Sequence, residues 1–316
     1  MKSKLKGLIA APFTPMNPDG SVNLNAIEQQ AAALVVDGVN GAFVCGTTGE
    51  GLSLSLEERL KVAERWAAVA PAKLPVIVHV GCNNIAESQT LAEHAEQIGA
   101  HSFASMGPTF FRPTRTEQLV DFCAEVALAA PALPFYFYHI PAMTGINLPM
   151  IDFVSLAVKR IPNFGGLKFT DENLVSYAQC LNFGEGRCNI LFGRDEILLA
   201  ALALGATGAV GSTYNFMASL YHNVIQAFQN GDLETARRFQ MTAIGIIAVM
   251  SRYGGLPAGK AMMKMAGIDC GPVRPPLRNL SADELEQFHR DLEHAGFPLE
   301  TQHPTQVGRP GLEPIK

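Results

Sequence analysis

The chain has 316 residues, of which 48% are hydrophobic and 17% are charged. An average globular domain carries about 25% charged residues, so this composition excludes a largely disordered chain and supplies the apolar side chains of a large core. The formal net charge of −5 offers no basic surface to nucleic acid or to anionic lipid, and we expect a small-molecule ligand instead.

The beginning of the chain does not predict a secretion signal. The apolar stretch Gly7–Ala11 is shorter than the roughly 7–15 residue core of a signal peptide, and Pro12 ends it. The six cysteines form no CxxC pair, and several lie in apolar runs, as buried free thiols do. Residues 197–231 lack charged side chains, but glycines and hydroxyl residues interrupt them, so we expect no membrane span. These features favour a reduced protein of the cytoplasm.

Eight short apolar segments predict the strands of a parallel sheet. Each segment is almost continuously apolar rather than alternating, which is typical of strands that are covered on both faces. The predicted strands are Gly7–Pro12, Gly41–Cys45, Pro75–Val80, His101–Met106, Pro134–Ile140, Gly165–Phe169, Asn189–Gly193 and Gly208–Ser212.

Amphipathic helical patterns separate these strands, and three of them have a recognisable start. In each, a polar residue that can cap a helix is followed three residues later by glutamate. The pairs are Ser55 with Glu58, Asn84 with Glu87, and Thr114 with Glu117. Strand–helix units that repeat in series predict a closed (β/α)8 TIM barrel, with a doubly wound sheet as the alternative.

We expect a single domain over residues 1–296, with the barrel at about 7–231 and additional helices at about 232–296. The helical patterns of this second part are Asp232–Tyr253, Leu256–Ala266 and Ser281–Ala295. Residues 297–316 are rich in proline and show no periodicity, which predicts an extended or disordered tail without identifiable chemistry.

Two side chains at the ends of neighbouring strands are candidate catalytic groups, because TIM-barrel active sites lie where the strands end. Lys168 has apolar neighbours near the end of the sixth strand. It is either an ion-pair partner or a desolvated amine whose lowered pKa makes it a nucleophile towards carbonyls, and we favour the amine. Tyr138 ends the fifth strand and could move protons beside it, although aromatic residues are also common in strands.

Polar loops follow three other strands. The segment Gly46-Thr-Thr-Gly-Glu50 can present backbone N–H groups to a carboxylate or a phosphate, although ordinary turns share this composition. Asp195 and Glu196, in the loop after strand seven, suit the hydroxyls of a neutral polyol better than phosphate. Alternatively, their negative charges only interact favourably with the dipole of the helix that follows. The histidines form no metal-binding motif and no dinucleotide or Walker motif is present, so we expect neither a metal nor an organic cofactor.

The motifs GTTGE, YHIPAMTG, GLKFT, GRDE and GAVGSTYN occur in this order between about Gly7 and Gly271. This ordered set resembles the pyruvate-dependent class I aldolases of the dihydrodipicolinate synthase and N-acetylneuraminate lyase family. The segments Val80-Gly-Cys82 and Ala86-Glu-Ser-Gln89 make the chain most similar to the branch that acts on sialic acid.

The resemblance implies reversible cleavage of N-acetylneuraminate to N-acetylmannosamine and pyruvate, in sialic acid degradation, by a cytoplasmic homotetramer. Lys168 would form the Schiff base and Tyr138 would transfer protons, with no cofactor. Thr47 and Thr48 would bind the pyruvate carboxylate. The residues implied for the sugar portion are Thr170, Gly193, Asp195, Glu196 and Ser212.

Two positions distinguish the chain from other members of the family. Met143 stands where dihydrodipicolinate synthases carry an arginine for a substrate carboxylate, which argues against that activity. Phe110 and Phe111 lie where many members place a tyrosine that serves a neighbouring subunit, and we assign them no role. The alternatives are an aldolase or dehydratase for another 2-keto-3-deoxy sugar acid, a dihydrodipicolinate synthase-like enzyme, and a non-catalytic sugar-binding barrel. The presence of Lys168 and Tyr138 disfavours the last.

Overall fold

The computed structural model describes residues 3–297, and its eight parallel strands close into a barrel in chain order. β1 pairs with β2 on one side and with β8 on the other, so the sheet has no free edge. The predicted TIM barrel is confirmed, and the doubly wound alternative is wrong. The strands are β1 Gly7–Ala10, β2 Ala42–Val44, β3 Val76–His79, β4 Ser102–Ser105, β5 Phe135–His139, β6 Phe164–Phe169, β7 Asn189–Phe192 and β8 Gly208–Gly211.

Helices surround the barrel and continue beyond its last strand. They are α1 Ala26–Val36, α2 Leu56–Val69, α3 Ile85–Gln97, α4 Thr116–Leu128, α5 Pro141–Thr144, α6 Met150–Arg160, α7 Leu174–Leu181, α8 Leu198–Ala203, α9 Ala218–Gln229, α10 Leu233–Arg252, α11 Leu256–Met265 and α12 Ala282–His294. The three predicted helices after the barrel correspond to α10, α11 and α12. Within residues 3–297, no helix is both long enough and apolar enough to cross a membrane. Of the predicted proline-rich tail, residues 298–316 lie outside the described residues.

Two of the three predicted helix starts are confirmed. Ser55 and Glu58 form a reciprocal capping box on α2: the Ser55 Oγ accepts from the Glu58 N–H at 3.2 Å, and the Glu58 carboxylate accepts from the Ser55 N–H at 2.8 Å. Asn84 caps α3 by accepting from the Ala86 N–H at 3.0 Å. These side chains satisfy N–H groups that have no partner within the helix.

The predicted cap residue of α4, Thr114, is wrong by one residue. The helix begins at Thr116, and Arg115 occupies the cap position. The Gln118 side chain, rather than Glu117, reaches back and accepts from the N–H groups of Thr114 at 3.0 Å and Arg115 at 3.2 Å. Glutamine can close a capping box as glutamate does, and its position determines where the helix starts.

Apolar side chains fill the barrel interior and close the end at which the strands begin. The interior cluster comprises Leu5, Ile9, Ala11, Phe43, Ile77, Ala104, Met106, Tyr136, Tyr138, Ile140, Leu191 and Val210. At the end where the strands begin, the Tyr136 hydroxyl donates to the Asn189 side chain at 2.9 Å, and Asn189 in turn donates to the Leu5 carbonyl at 3.1 Å. The opposite end is left open for a ligand. All six cysteines are free and buried, as predicted for reduced thiols within apolar runs.

Candidate active site

A cavity of about 740 Å³ opens where the barrel strands end. Its lining draws on the loops that follow the strands and on the ends of α10 and α11. All the site residues predicted from the sequence line this cavity: Thr47, Thr48, Tyr138, Lys168, Thr170, Gly193, Asp195, Glu196 and Ser212. The structure therefore brings together residues that are spread over most of the chain.

Lys168 lies on β6 with its side chain inside the barrel, where it is only 4% exposed. Its Nζ is 3.9 Å from the ring centroid of Phe43 and 3.9 Å from that of Tyr138. Burial lowers the pKa of the Lys168 amine to about 7, while the Asp195 carboxylate acts in the opposite direction. Desolvation disfavours the charged ammonium, so a large share of this amine is neutral and nucleophilic near pH 7.

Tyr138 is the direct neighbour of Lys168 across the β5–β6 pair. Its hydroxyl lies 3.2 Å from the Thr47 Oγ1, which links it to the loop after β2. Burial raises the pKa of Tyr138 to about 12, and the hydroxyls of Thr47 and Thr170 act in the opposite direction. The phenol therefore carries its proton at neutral pH and is able to donate it beside the amine.

The loop Gly46–Glu50 forms a tight turn at the cavity wall. The Glu50 N–H donates to the Thr47 carbonyl at 3.0 Å, and the Gly51 N–H donates to the Gly46 carbonyl at 3.0 Å. Thr48 is half-buried and Thr47 is exposed towards the opening. Both threonines of this turn line the cavity, and the Thr47 hydroxyl reaches that of Tyr138.

Asp195, in the loop after β7, lines the cavity and is only 6% exposed. Its Oδ2 accepts from the Thr213 N–H at 3.1 Å and from the Thr213 hydroxyl at 2.6 Å. The Tyr214 side chain also hydrogen-bonds this carboxyl, whose Oδ1 is buried. Gly211 makes room for this carboxylate, because a Cβ there would lie 2.0 Å from Oδ1. Thr213, Tyr214 and the backbone of β8 thus surround the Asp195 carboxyl.

Burial raises the pKa of the Asp195 carboxyl to about 6, and the hydrogen bonds from Thr213 lower it. Gln240 of α10 fixes the backbone at this point: its Nε2 donates to the Asp195 carbonyl at 3.1 Å, and its Oε1 accepts from the Leu199 N–H at 2.9 Å. A helix outside the barrel therefore positions an acid inside the cavity.

The remaining predicted residues lie around the cavity. Gly193 permits Thr170 to face it, because a Cβ at Gly193 would lie 2.0 Å from the Thr170 Oγ1. That hydroxyl is buried and acts as a hydrogen-bond partner of Tyr138. Glu196 lies 3.6 Å from the Arg194 guanidinium, and Ser212 follows β8 directly. These groups add hydroxyl and carboxylate oxygens to the lining of the cavity.

Sequence reasoning missed several groups that shape this site. Phe43 covers the Lys168 amine, and Thr213 holds Asp195. His79 faces Tyr138 edge to face at 5.6 Å between ring centroids and places its Nδ1 3.1 Å from the Cys45 carbonyl. Burial holds the pKa of His79 well below its usual value, so this imidazole is neutral. Of these groups, only His79 could have been found from the sequence, because a histidine is unusual within an otherwise apolar strand.

The loop after β4 presents Phe110 and Phe111 outwards. Their side chains are 79% and 85% exposed, and the rings pack edge to face at 4.9 Å. Met143 is 64% exposed and lines the cavity from α5. Across residues 3–297, no cluster of three His, Cys, Asp or Glu side chains is arranged to hold a metal ion.

The sequence profile of the Dihydrodipicolinate synthetase family matches residues 4–295. The chain belongs to this family. It is 44% identical over 302 residues to the N-acetylneuraminate lyase of Gallus gallus, covering 94% of this chain and 98% of the chicken protein. It is 43% identical over 301 residues to the N-acetylneuraminate lyase of Homo sapiens, covering 94% of each chain.

Solved structures of family members agree with this relationship. The N-acetylneuraminate lyase of Proteus mirabilis superposes with a TM-score of 0.91 at 43% identity, covering 94% of this chain and 100% of that one. The family resemblance predicted from the ordered motifs is confirmed. The similarity extends over the barrel and the helices that follow it.

Proposed function

We propose that this chain is a class I aldolase that cleaves N-acetylneuraminate reversibly to N-acetylmannosamine and pyruvate. The observation that carries the proposal is the buried Lys168 amine, which lies against the Tyr138 ring within the cavity. Its lowered pKa suits imine formation with a keto acid. The relatives named above, which share 43% to 44% identity with the chain, support the choice of substrate.

In the cleavage direction, the neutral Lys168 amine attacks the C2 ketone of the open-chain sugar. Tyr138 gives its proton to the departing hydroxyl, water leaves, and an iminium ion forms beside a phenolate. The phenolate then takes the C4 hydroxyl proton. The C3–C4 bond breaks, its electron pair moves into the iminium, and N-acetylmannosamine leaves as the aldehyde.

The second half of the cycle returns both groups to their starting states. The Tyr138 phenol protonates C3 of the enamine and becomes a phenolate again. That phenolate takes a proton from the water that attacks the iminium, and the resulting carbinolamine collapses to pyruvate and free Lys168. The positive iminium lies close to the ring of Tyr138 and stabilises its negative charge, which compensates for the burial that raises the pKa of the phenol.

Each end of the substrate has its own set of contacts in this proposal. Thr47 and Thr48 hold the carboxylate of the keto acid, because their turn faces the Lys168–Tyr138 pair. The residues that would hold the sugar hydroxyls and the N-acetyl portion are Thr170, Gly193, Asp195, Glu196 and Ser212. Asp195 lines the cavity together with Thr213, which donates to its carboxylate.

We further propose that the enzyme acts in the cytoplasm as a homotetramer, as the family resemblance implies. The exposed pair Phe110 and Phe111 is suited to a contact between subunits, since large exposed aromatic patches commonly mark such contacts. Sedimentation velocity on the purified full-length chain measures the assembly, and a monomer at micromolar concentration would contradict it.

Met143 predicts the choice of acceptor in the condensation direction. Met143 cannot pair with a carboxylate, and a charge-assisted hydrogen bond contributes about 1.5–3 kcal/mol, so aspartate semialdehyde should react about 10- to 150-fold less efficiently than N-acetylmannosamine. Measuring pyruvate consumption with each aldehyde tests this and the substrate together. Met143→Arg should improve the semialdehyde reaction while Met143→Gln should not. Efficient condensation of the semialdehyde by the unaltered enzyme would contradict the proposed function.

The pKa of Lys168 predicts the pH dependence of imine formation. Only the neutral amine attacks, so the rate with pyruvate should rise about tenfold per pH unit up to about pH 7 and level off above it. Asp195→Asn removes a carboxylate that raises this pKa, so the midpoint should move to lower pH. The surface variant Asp121→Asn is the control. A midpoint near the ordinary value for lysine would show that the amine is not desolvated.

A further inference from the structure

The turn at Gly46–Glu50, which we call the threonine turn, has an unusual backbone. It is flanked by Cys45 with φ of 57° and ends at Glu50 with φ of 53°, and neither residue is glycine. Left-handed backbone is uncommon for such residues and persists where the surrounding contacts enforce it. Gly51 follows the turn and lies so close to Cys45 that only glycine fits, since a Cβ there would lie 1.8 Å from the Cys45 carbonyl oxygen. We therefore expect contacts from other parts of the chain to stabilise this backbone conformation.

The Glu50 side chain makes the contacts that hold it. Its Oε1 lies 2.7 Å from the Nζ of Lys260 on α11, and the two side chains are 1% and 4% exposed. Its Oε2 accepts from the Arg274 backbone N–H at 2.7 Å. The Lys260 ammonium also donates to the Pro272 carbonyl at 2.6 Å. A buried ion pair whose charges have further hydrogen-bond partners is costly to disrupt, because removing one partner leaves a buried charge uncompensated.

The segment that carries these partners is itself fastened to the barrel. The Arg274 guanidinium donates to the Gly20 carbonyl at 2.8 Å and to the Ser53 carbonyl at 2.9 Å, and it pairs with Glu58 of α2 at 2.5 Å. The region after the barrel therefore forms a rigid support behind the threonine turn. Both Glu50 carboxylate oxygens bond to this support, while Thr47 and Thr48 line the cavity.

We propose that Glu50 is a positioning residue for keto-acid recognition: its buried ion pair with Lys260 holds the threonine turn in the conformation that receives the substrate carboxylate. The inference rests on the proposed function, in which Thr47 and Thr48 bind that carboxylate. Lys260 also compensates a negative charge that would otherwise repel an incoming keto acid. The helices after the barrel thus take part in substrate recognition without touching the substrate.

The test compares a keto acid with a carbonyl compound that lacks the carboxylate. Imine formation is measured by borohydride trapping on the full-length chain, with pyruvate and with hydroxyacetone. In Glu50→Gln, the half-saturating concentration of pyruvate should rise about tenfold while the maximal trapping rate changes little. The rate with hydroxyacetone should stay within about twofold of the unaltered enzyme, because this compound makes no use of the threonine turn.

A matched control lies on the same helix. Lys264 forms an exposed ion pair with Asp269 at 2.8 Å, so Lys264→Gln should behave as the unaltered enzyme with both compounds. If Glu50→Gln fails to fold, the double variant Glu50→Gln with Lys260→Met removes both buried charges and should show the same loss confined to pyruvate. Equal losses with both compounds, or an unchanged response to pyruvate in the folded variant, would overturn the inference. Absence of any pyruvate adduct on the unaltered enzyme would instead overturn the proposed function.

Discussion

Replacing Lys168 with methionine should abolish cleavage of N-acetylneuraminate, with a loss of at least about 10⁴-fold in kcat. In the proposed mechanism Lys168 forms the covalent intermediate, so its removal leaves only binding contacts, and such losses in kcat are commonly of this size or larger. Methionine fills the same apolar space between the Phe43 and Tyr138 rings. Pyruvate release from N-acetylneuraminate, followed continuously, measures the effect, and the exposed Lys159→Met is the control.

The same substitution should make the fold more stable, which separates lost chemistry from lost structure. The pKa of Lys168 is about 7 in the folded chain and 10.5 in the ordinary lysine, so the unfolded state binds more protons between these values. The penalty is therefore complete below pH 7 and disappears as the pH approaches 10.5. Lys168→Met should raise the melting temperature at pH 6 more than at pH 10. Retained activity within about tenfold, or a lowered melting temperature, would contradict the assignment.

Replacing Tyr138 with phenylalanine should lower kcat for cleavage by about 10²- to 10⁴-fold, the usual contribution of a positioned acid–base group. The ring remains and still covers the Lys168 amine, so long incubation with pyruvate and borohydride should still label Lys168. The separation of slow cleavage from surviving imine formation is the expected signature of a proton-transfer group.

Tyr136 provides a control on the same strand. Its hydroxyl donates to Asn189 at the closed end of the barrel, away from the cavity. Tyr136→Phe should cost about 1 kcal/mol of unfolding free energy and leave the kinetics of cleavage nearly unchanged. Equal effects of the two substitutions on kcat would show that Tyr138 acts through stability alone.

The barrel could be predicted from sequence because its strands are buried on both faces. Each strand is therefore a short apolar run, and the amphipathic helices between the runs differ from them in period. The location of Lys168 and Tyr138 followed from the same rule, since consecutive parallel strands lie side by side and end at the same face. The structure adds their direct pairing and the burial that alters both pKa values.

The surroundings of Asp195 could not be predicted in this way. Its position after strand seven suggested an accessible acid, but the side chain is buried and Thr213 occupies one of its oxygens. The space it fills depends on Gly211 of the neighbouring strand, and its backbone depends on Gln240 of a later helix. Such contacts join residues that no local pattern connects.

The contacts behind the threonine turn could not be predicted either, because they also join residues that are distant in sequence. The GTTGE motif was compatible with an anion-binding turn or with an ordinary turn, and α11 was expected only as one of the additional helices after the barrel. The ion pair between Glu50 and Lys260 links the two across most of the chain. Neither the period of a helix nor the composition of a turn carries information about such a pair.

Peptide mapping after reduction with borohydride in the presence of pyruvate tests the imine mechanism most directly. Reduction fixes an imine as a secondary amine that survives digestion and mass spectrometry. The lysine assignment predicts loss of activity together with a single reduced pyruvyl group on the peptide that contains Lys168. Full activity after this treatment, or the adduct on another lysine such as Lys260, would contradict it.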